Sequence, residues 1–123
     1  MQAEMMLDDE SIPVHVRKME CKRLLNKAIS EAKRRGFEMD MAEAHYYSEK
    51  AEEAFKLLEA GYANTFIQTV IKGRPSVVEA MRAYHDAEVE YKNANEAINA
   101  YKLVLKTLEA DEEREWEQAR RMV

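Results

Sequence analysis

Glycine, proline and cysteine are scarce in this chain: three, two and one among 123 residues. So few Gly and Pro leave little material for turns. The single Cys21 excludes an internal disulfide and suits a reducing compartment. No apolar run approaches the roughly 20 residues needed to span a bilayer. The opening MQAEMMLDDE is acidic where a signal peptide would be basic. These absences predict a cytoplasmic protein with no membrane partner.

What is present is charge and apolar periodicity. Charged residues make up 35% of the chain and hydrophobic ones 46%, with Ala, Glu, Lys and Leu abundant, as in long helices. The length suits one domain, residues 1–123, with a modest core. The net charge of −5 is unevenly spread. Residues 13–36 hold eight cations and two acids, so one strongly basic segment sits inside an acidic protein.

Capping signals divide the chain into an acidic, flexible arm (1–12) and three helices. The first, 13–35, starts at Pro13 and ends in Lys33-Arg34-Arg35 before Gly36. Cations in a last turn oppose the negative helix end, and Gly accepts a left-handed conformation. The second, 40–72, opens with Asp40 and Glu43 as a capping box and closes at Gly73. The third, 76–120, opens with Ser76 and Glu79 and meets no breaker. The fold class is therefore all-α.

The third helix carries a seam in steps of four and three: Ala80, Tyr84, Ala87, Tyr91, Ala94, Ile98, Tyr101, Leu105, Leu108. The second carries Ala44, Tyr47, Ala51, Ala54, Leu58, Gly61, Thr65, Gln68. With a short connection at Gly73-Arg74-Pro75, these two should form a long antiparallel coiled-coil hairpin. Facing residue numbers would then add to 148 or 149, setting Leu58 on Tyr91 and Gly61 on Ala87. Large residues face small ones at most layers, as Leu105 faces Ala44 and Ile98 faces Ala51, and where small meets small Gly61 reads as a close-packing residue. The shorter basic helix, with its own seam from Val14 through Cys21 to Ala32, should pack on the hairpin base. That arrangement leaves the tip bare: Tyr62, Phe66, Ile67, Val70, Ile71, Val77, Val78 and Met81. An apolar patch of that kind marks an interface, with a second copy or a protein target.

Catalytic chemistry is not encoded in any recognisable pattern. A di-iron helical bundle needs Glu three residues before His, but Ile12, Ala42 and Arg82 precede His15, His45 and His85. There is no zinc spacing, phosphate-binding Gly loop or nucleophile elbow. The expectation is a non-enzyme without catalytic residues, metal, cofactor or small-molecule substrate. Trp116 lies beyond the last seam residue, where it is either a binding hot spot or packed on Phe37 or Met39 at the base. The basic helix offers Arg17, Lys22, Arg23, Lys27, Arg34 and Arg35 as nucleic-acid contacts. The competing reading sets those cations against the acidic hairpin, and it is favoured.

The order YSEKAEEAF, VIKGRPSV, EYKNANEAINAYKLVLKTLE and REW in residues 47–118 resembles small helical-hairpin proteins of bacteriophage early and replication gene regions. Most such proteins have no assigned function. The resemblance implies a phage accessory factor acting on another protein or on the replication machinery, in the host cytoplasm. The leading expectation is thus a helical protein–protein interaction module or inhibitor of a host defence protein. The alternatives are a single-stranded nucleic-acid accessory protein using the basic helix, and an acidic decoy occupying the nucleic-acid site of a defence nuclease.

Overall fold

The computed structural model describes residues 3–122; residues 1, 2 and 123, including the first two positions of the expected arm, lie outside the described residues. The fold is all-α, with no strand among the described residues. Among the described residues four α-helices follow one another: α1 (Ala3–Leu7), α2 (Val14–Glu59), α3 (Asn64–Val70) and α4 (Pro75–Arg121), with a 3-10 turn at Ile71–Gly73. The residues pack as two compact units, one of residues 1–32 with 93–123 and the other of residues 33–92.

The expected division into three helices fails at two glycines, whose roles are exchanged. Gly36 does not end a helix; α2 runs through it for 46 residues. Gly inside a helix is about 1 kcal/mol less favourable than Ala, but here it admits a neighbour. A methyl group at Gly36 would lie 2.9 Å from Cε2 of Tyr91, so the ring can sit over the backbone only because no side chain is there. The cations before it do not cap an end. Arg34 and Arg35 instead reach forward one turn to Glu38, at 2.7 and 3.3 Å. Gly61 ends α2, well short of the expected residue 72, with φ +93°. Its N–H donates to the Leu58 carbonyl at 3.0 Å and the Tyr62 N–H to that of Leu57 at 3.2 Å. This paired closure satisfies carbonyls left over at the helix end, and the left-handed residue it needs is most easily Gly. Gly61 therefore caps, and nothing lies within 4 Å of where its Cβ would be.

The unit of residues 1–32 with 93–123 is built on segments of α2 and α4 lying antiparallel, with α1 folded beside them. Leu7, Val14, Cys21, Leu24 and Leu108 form its core, and Tyr101, Val104 and Leu105 pack against them. Leu7 is 6% exposed, so the segment read as a flexible arm contributes to the core. A turn joins α1 to α2: the Ser11 N–H donates to Asp9 Oδ1 at 3.0 Å and the Ile12 N–H to the Asp9 carbonyl at 3.1 Å. Across the helices Lys18 meets Glu112 at 3.0 Å, and the Cys21 thiol donates to the Tyr101 carbonyl at 3.4 Å.

In the unit of residues 33–92, α2 and α4 again run antiparallel, in a register unlike the expected one. Gly36 faces Tyr91, Glu43 bonds Tyr84 and Glu53 bonds Arg74, so facing numbers add to 127 and not 148. The reason lies in the connection. Chain reversal begins at Gly61, and residues 64–73 fold into α3 and the 3-10 turn. The Ser76 capping box is also absent: α4 starts at Pro75, whose missing N–H is no loss in a first turn, and Ser76 turns its hydroxyl to Glu53 at 3.0 Å. Leu57, Ile67 and Ile71 make a small core here, with Ala54 and Val70 against it.

Candidate protein-interaction surface

The tip is not bare as expected. Val77 is fully buried at 0% exposure, Ile67 and Ile71 are buried, and Val70 and Val78 are half-buried. The chain covers them itself, because α3 turns back and sets Ile67 and Ile71 against Leu57. Three of the eight remain exposed: Met81, and Tyr62 and Phe66, whose rings stack at 4.9 Å.

The larger apolar surface lies on the outward face of α2. Phe37 (67% exposed), Met41, Ala44, Tyr47, Ala51, Phe55 (61%) and Leu58 (57%) recur in steps of three and four, all in solvent. Asp40 and Ser48 are the polar residues among them. At 3.6 residues per turn this stripe lies about 130° around the helix from the inward seam. The inward seam is Ala32, Gly36, Met39, Glu43, Tyr46, Lys50, Glu53 and Leu57, every member buried or half-buried. Residues 44, 47, 51 and 58, expected at the hairpin seam, lie on this outward face. Their period was legible, but the face that α4 occupies was not. The seam of α4 is as expected, with none of its nine members exposed.

The two carboxylates of the inward seam are paired across the helices. The Tyr84 hydroxyl donates to Glu43 Oε2 at 2.7 Å, and that bond to a carboxylate pushes the phenol pKa up to about 12. Glu53 accepts from Arg74 Nε at 3.1 Å and from Ser76 Oγ at 3.0 Å, with Lys56 Nζ at 3.6 Å. The Arg74 bond foremost, then that of Ser76, holds the Glu53 carboxyl below the usual carboxylate range. Among the described residues no buried side-chain N or O lacks a hydrogen-bond partner.

The basic positions do not form one open cationic track. Arg17 is buried and donates through Nε to the Ile12 carbonyl at 2.9 Å. Arg23 is paired with Glu20, and Arg35 reaches Glu90 at 3.7 Å as well as Glu38. Lys22 and Lys27 stand in solvent. Trp116 is 61% exposed and borders a shallow groove with Val14, His15 and Ala119. Cys21 is fully buried, and desolvation raises its pKa, so it behaves as a small hydrophobe.

Among the described residues no three His, Cys, Asp or Glu side chains converge as metal ligands, and no helix is long and apolar enough to cross a membrane. The surface that distinguishes this molecule is thus the apolar stripe of α2, with Tyr62 and Phe66 just beyond its C-terminal end. Comparison of the chain with protein-family models, with curated proteins and with solved structures finds no match to any of them.

Proposed function

We propose that the chain is a non-catalytic helical module for protein–protein interaction. One observation carries this reading: seven apolar residues from Phe37 to Leu58 share an exposed helical face. Contiguous apolar patches beyond a few hundred Å² are unusual on monomeric proteins and mark interaction sites. Helical spacing of the anchors suits a partner helix lying along α2, the mode in which i, i+3, i+4 and i+7 side chains enter a groove. The resemblance of residues 47–118 to phage hairpin proteins directs the same reading toward an accessory factor, or an inhibitor, acting on a host or replication protein.

The protein reading is preferred to single-stranded nucleic-acid binding because the arginines of the basic segment are engaged within the fold. Arg17 is buried, and Arg23, Arg34 and Arg35 face carboxylates. The test is affinity capture with tagged wild-type protein beside Phe37→Glu/Phe55→Glu. Wild type is expected to retain a protein, its own chain included, that the variant does not retain. Identical captures from the two would overturn the stripe as the interacting surface.

A further inference from the structure

We infer that the occupant of the α2 stripe is the same stripe on a second copy of this chain, running antiparallel about a two-fold axis between residues 47 and 48. The inference rests on the reading of this face as an interaction surface and adds its partner and register. It comes from the order of side chains along the stripe, which is nearly the same read from either end. Phe37 and Leu58 stand at the two ends, Met41 and Phe55 one turn inward, and Ala44 and Ala51 about the middle, all exposed. Their numbers add to 95, 96 and 95. An isologous contact demands this property: when residue i meets residue j, j meets i, so a stripe that joins its own copy antiparallel must be self-complementary. Large residues then flank a centre where Ala44 faces Ala51 twice, and these small pairs leave room for the two exposed Tyr47 rings beside the axis.

Charge follows the same symmetry. On the flank of α2 away from α3, Arg34, Glu38, Lys56 and Glu59 border the stripe. A two-fold axis perpendicular to both helices brings each flank against its own counterpart. Glu38 then lies opposite Lys56 of the second copy, and Arg34 opposite Glu59, with sums of 94 and 93. His45 falls near Glu49 and Glu52 in the same pairing. A parallel pairing would instead turn this charged flank against the opposite one, where α3 lies beside Tyr47 and Ala51, and none of these pairs would form. Flanking charges of this kind set orientation in paired helices. The sequence thus specifies antiparallel self-pairing twice, once by size and once by sign.

Size exclusion with light scattering at about 100 µM, far above a micromolar dissociation constant, should give twice the 14.3 kDa of one chain. Phe37→Glu/Phe55→Glu should give one chain's mass while circular dichroism stays helical. In a Cys21→Ser background, Ser48→Cys sits beside the axis and should form an inter-chain disulfide by itself. Leu58→Cys should not, since its two copies stand about 31 Å apart along the helices; mixed with Phe37→Cys chains it should cross-link. Efficient self-linking at residue 58 would overturn the antiparallel pairing. A wild-type mass of one chain would overturn the second copy. If that monomer still binds an apolar dye, and the double Glu variant does not, the interaction reading stands with a different partner. A monomer that binds no dye removes both.

Discussion

Two glycines show how one residue type serves opposite physical ends in this chain. Gly36 is present for want of a side chain, Gly61 for its backbone angle. The two uses can be separated experimentally. Gly36→Ala gains helix propensity of about 1 kcal/mol, but the new methyl meets the Tyr91 ring, and overpacking typically costs about 1–3 kcal/mol. It should lower the urea midpoint. In a Tyr91→Ala background the same change should raise the midpoint, since only the propensity gain remains. Gly61→Ala should lose about 1–2 kcal/mol, the penalty of a left-handed L-residue, whatever occupies position 91. Rescue of Gly61→Ala by Tyr91→Ala, or its absence for Gly36→Ala, would refute the assignments. Both glycines stand out in the sequence, but their roles depend on which ring lies opposite, and that is fixed by a residue 55 positions away.

At the scale of elements, a buried carboxylate fastens the start of α4 to α2. Glu53 takes bonds from Arg74 and Ser76 at the point where the chain re-enters a long helix. Its pKa is lowered in the folded state. The contribution to stability is therefore complete above the ordinary carboxylate value, about 4.3, and disappears as pH falls through the lowered value. Wild type should lose stability over that acid range more steeply than Glu53→Gln, with urea midpoints measured at several pH values converging in strong acid. Parallel profiles would show that the carboxylate carries no such linkage. This contact was not legible in the sequence, where Ser76 reads as a helix cap and Glu53 as one acid among many. The α4 seam was legible because its alternation of large and small residues is uninterrupted. The start of α2 at Pro13-Val14 was legible as well. What failed was the reversal at residues 60–74: α3 is only seven residues long and carries no side-chain cap, so it offered no signal to read. Missing it displaced the register and, with it, the site.

At the scale of the whole molecule, net charge and the pairing of the arginines decide what can be attracted. An acidic protein whose arginines mostly face its own carboxylates should have little hold on phosphate backbones. No retardation of a single-stranded oligonucleotide is expected at about 50 mM salt, a condition that favours phosphate contacts. Binding that weakens steeply with salt, and is lost when Lys22 and Lys27 become Glu, would reinstate the nucleic-acid reading. The two faces of α2 carry a different consequence, for the route by which the chain finds its fold. Its outer stripe matches the α4 seam nearly as well as the inner one does, in a pairing displaced by 21 residues, which is three heptads. Apolar contact alone therefore discriminates poorly between native and slipped partners, and the collapsing chain meets a decoy of its own making. The polar bonds break the tie. Slippage turns Glu43 and Glu53 toward solvent, forfeits the bonds from Arg74 and Ser76, and leaves the Tyr84 hydroxyl at the contact without its acceptor, which is penalised. Specificity of pairing here resides in the least hydrophobic part of the seam.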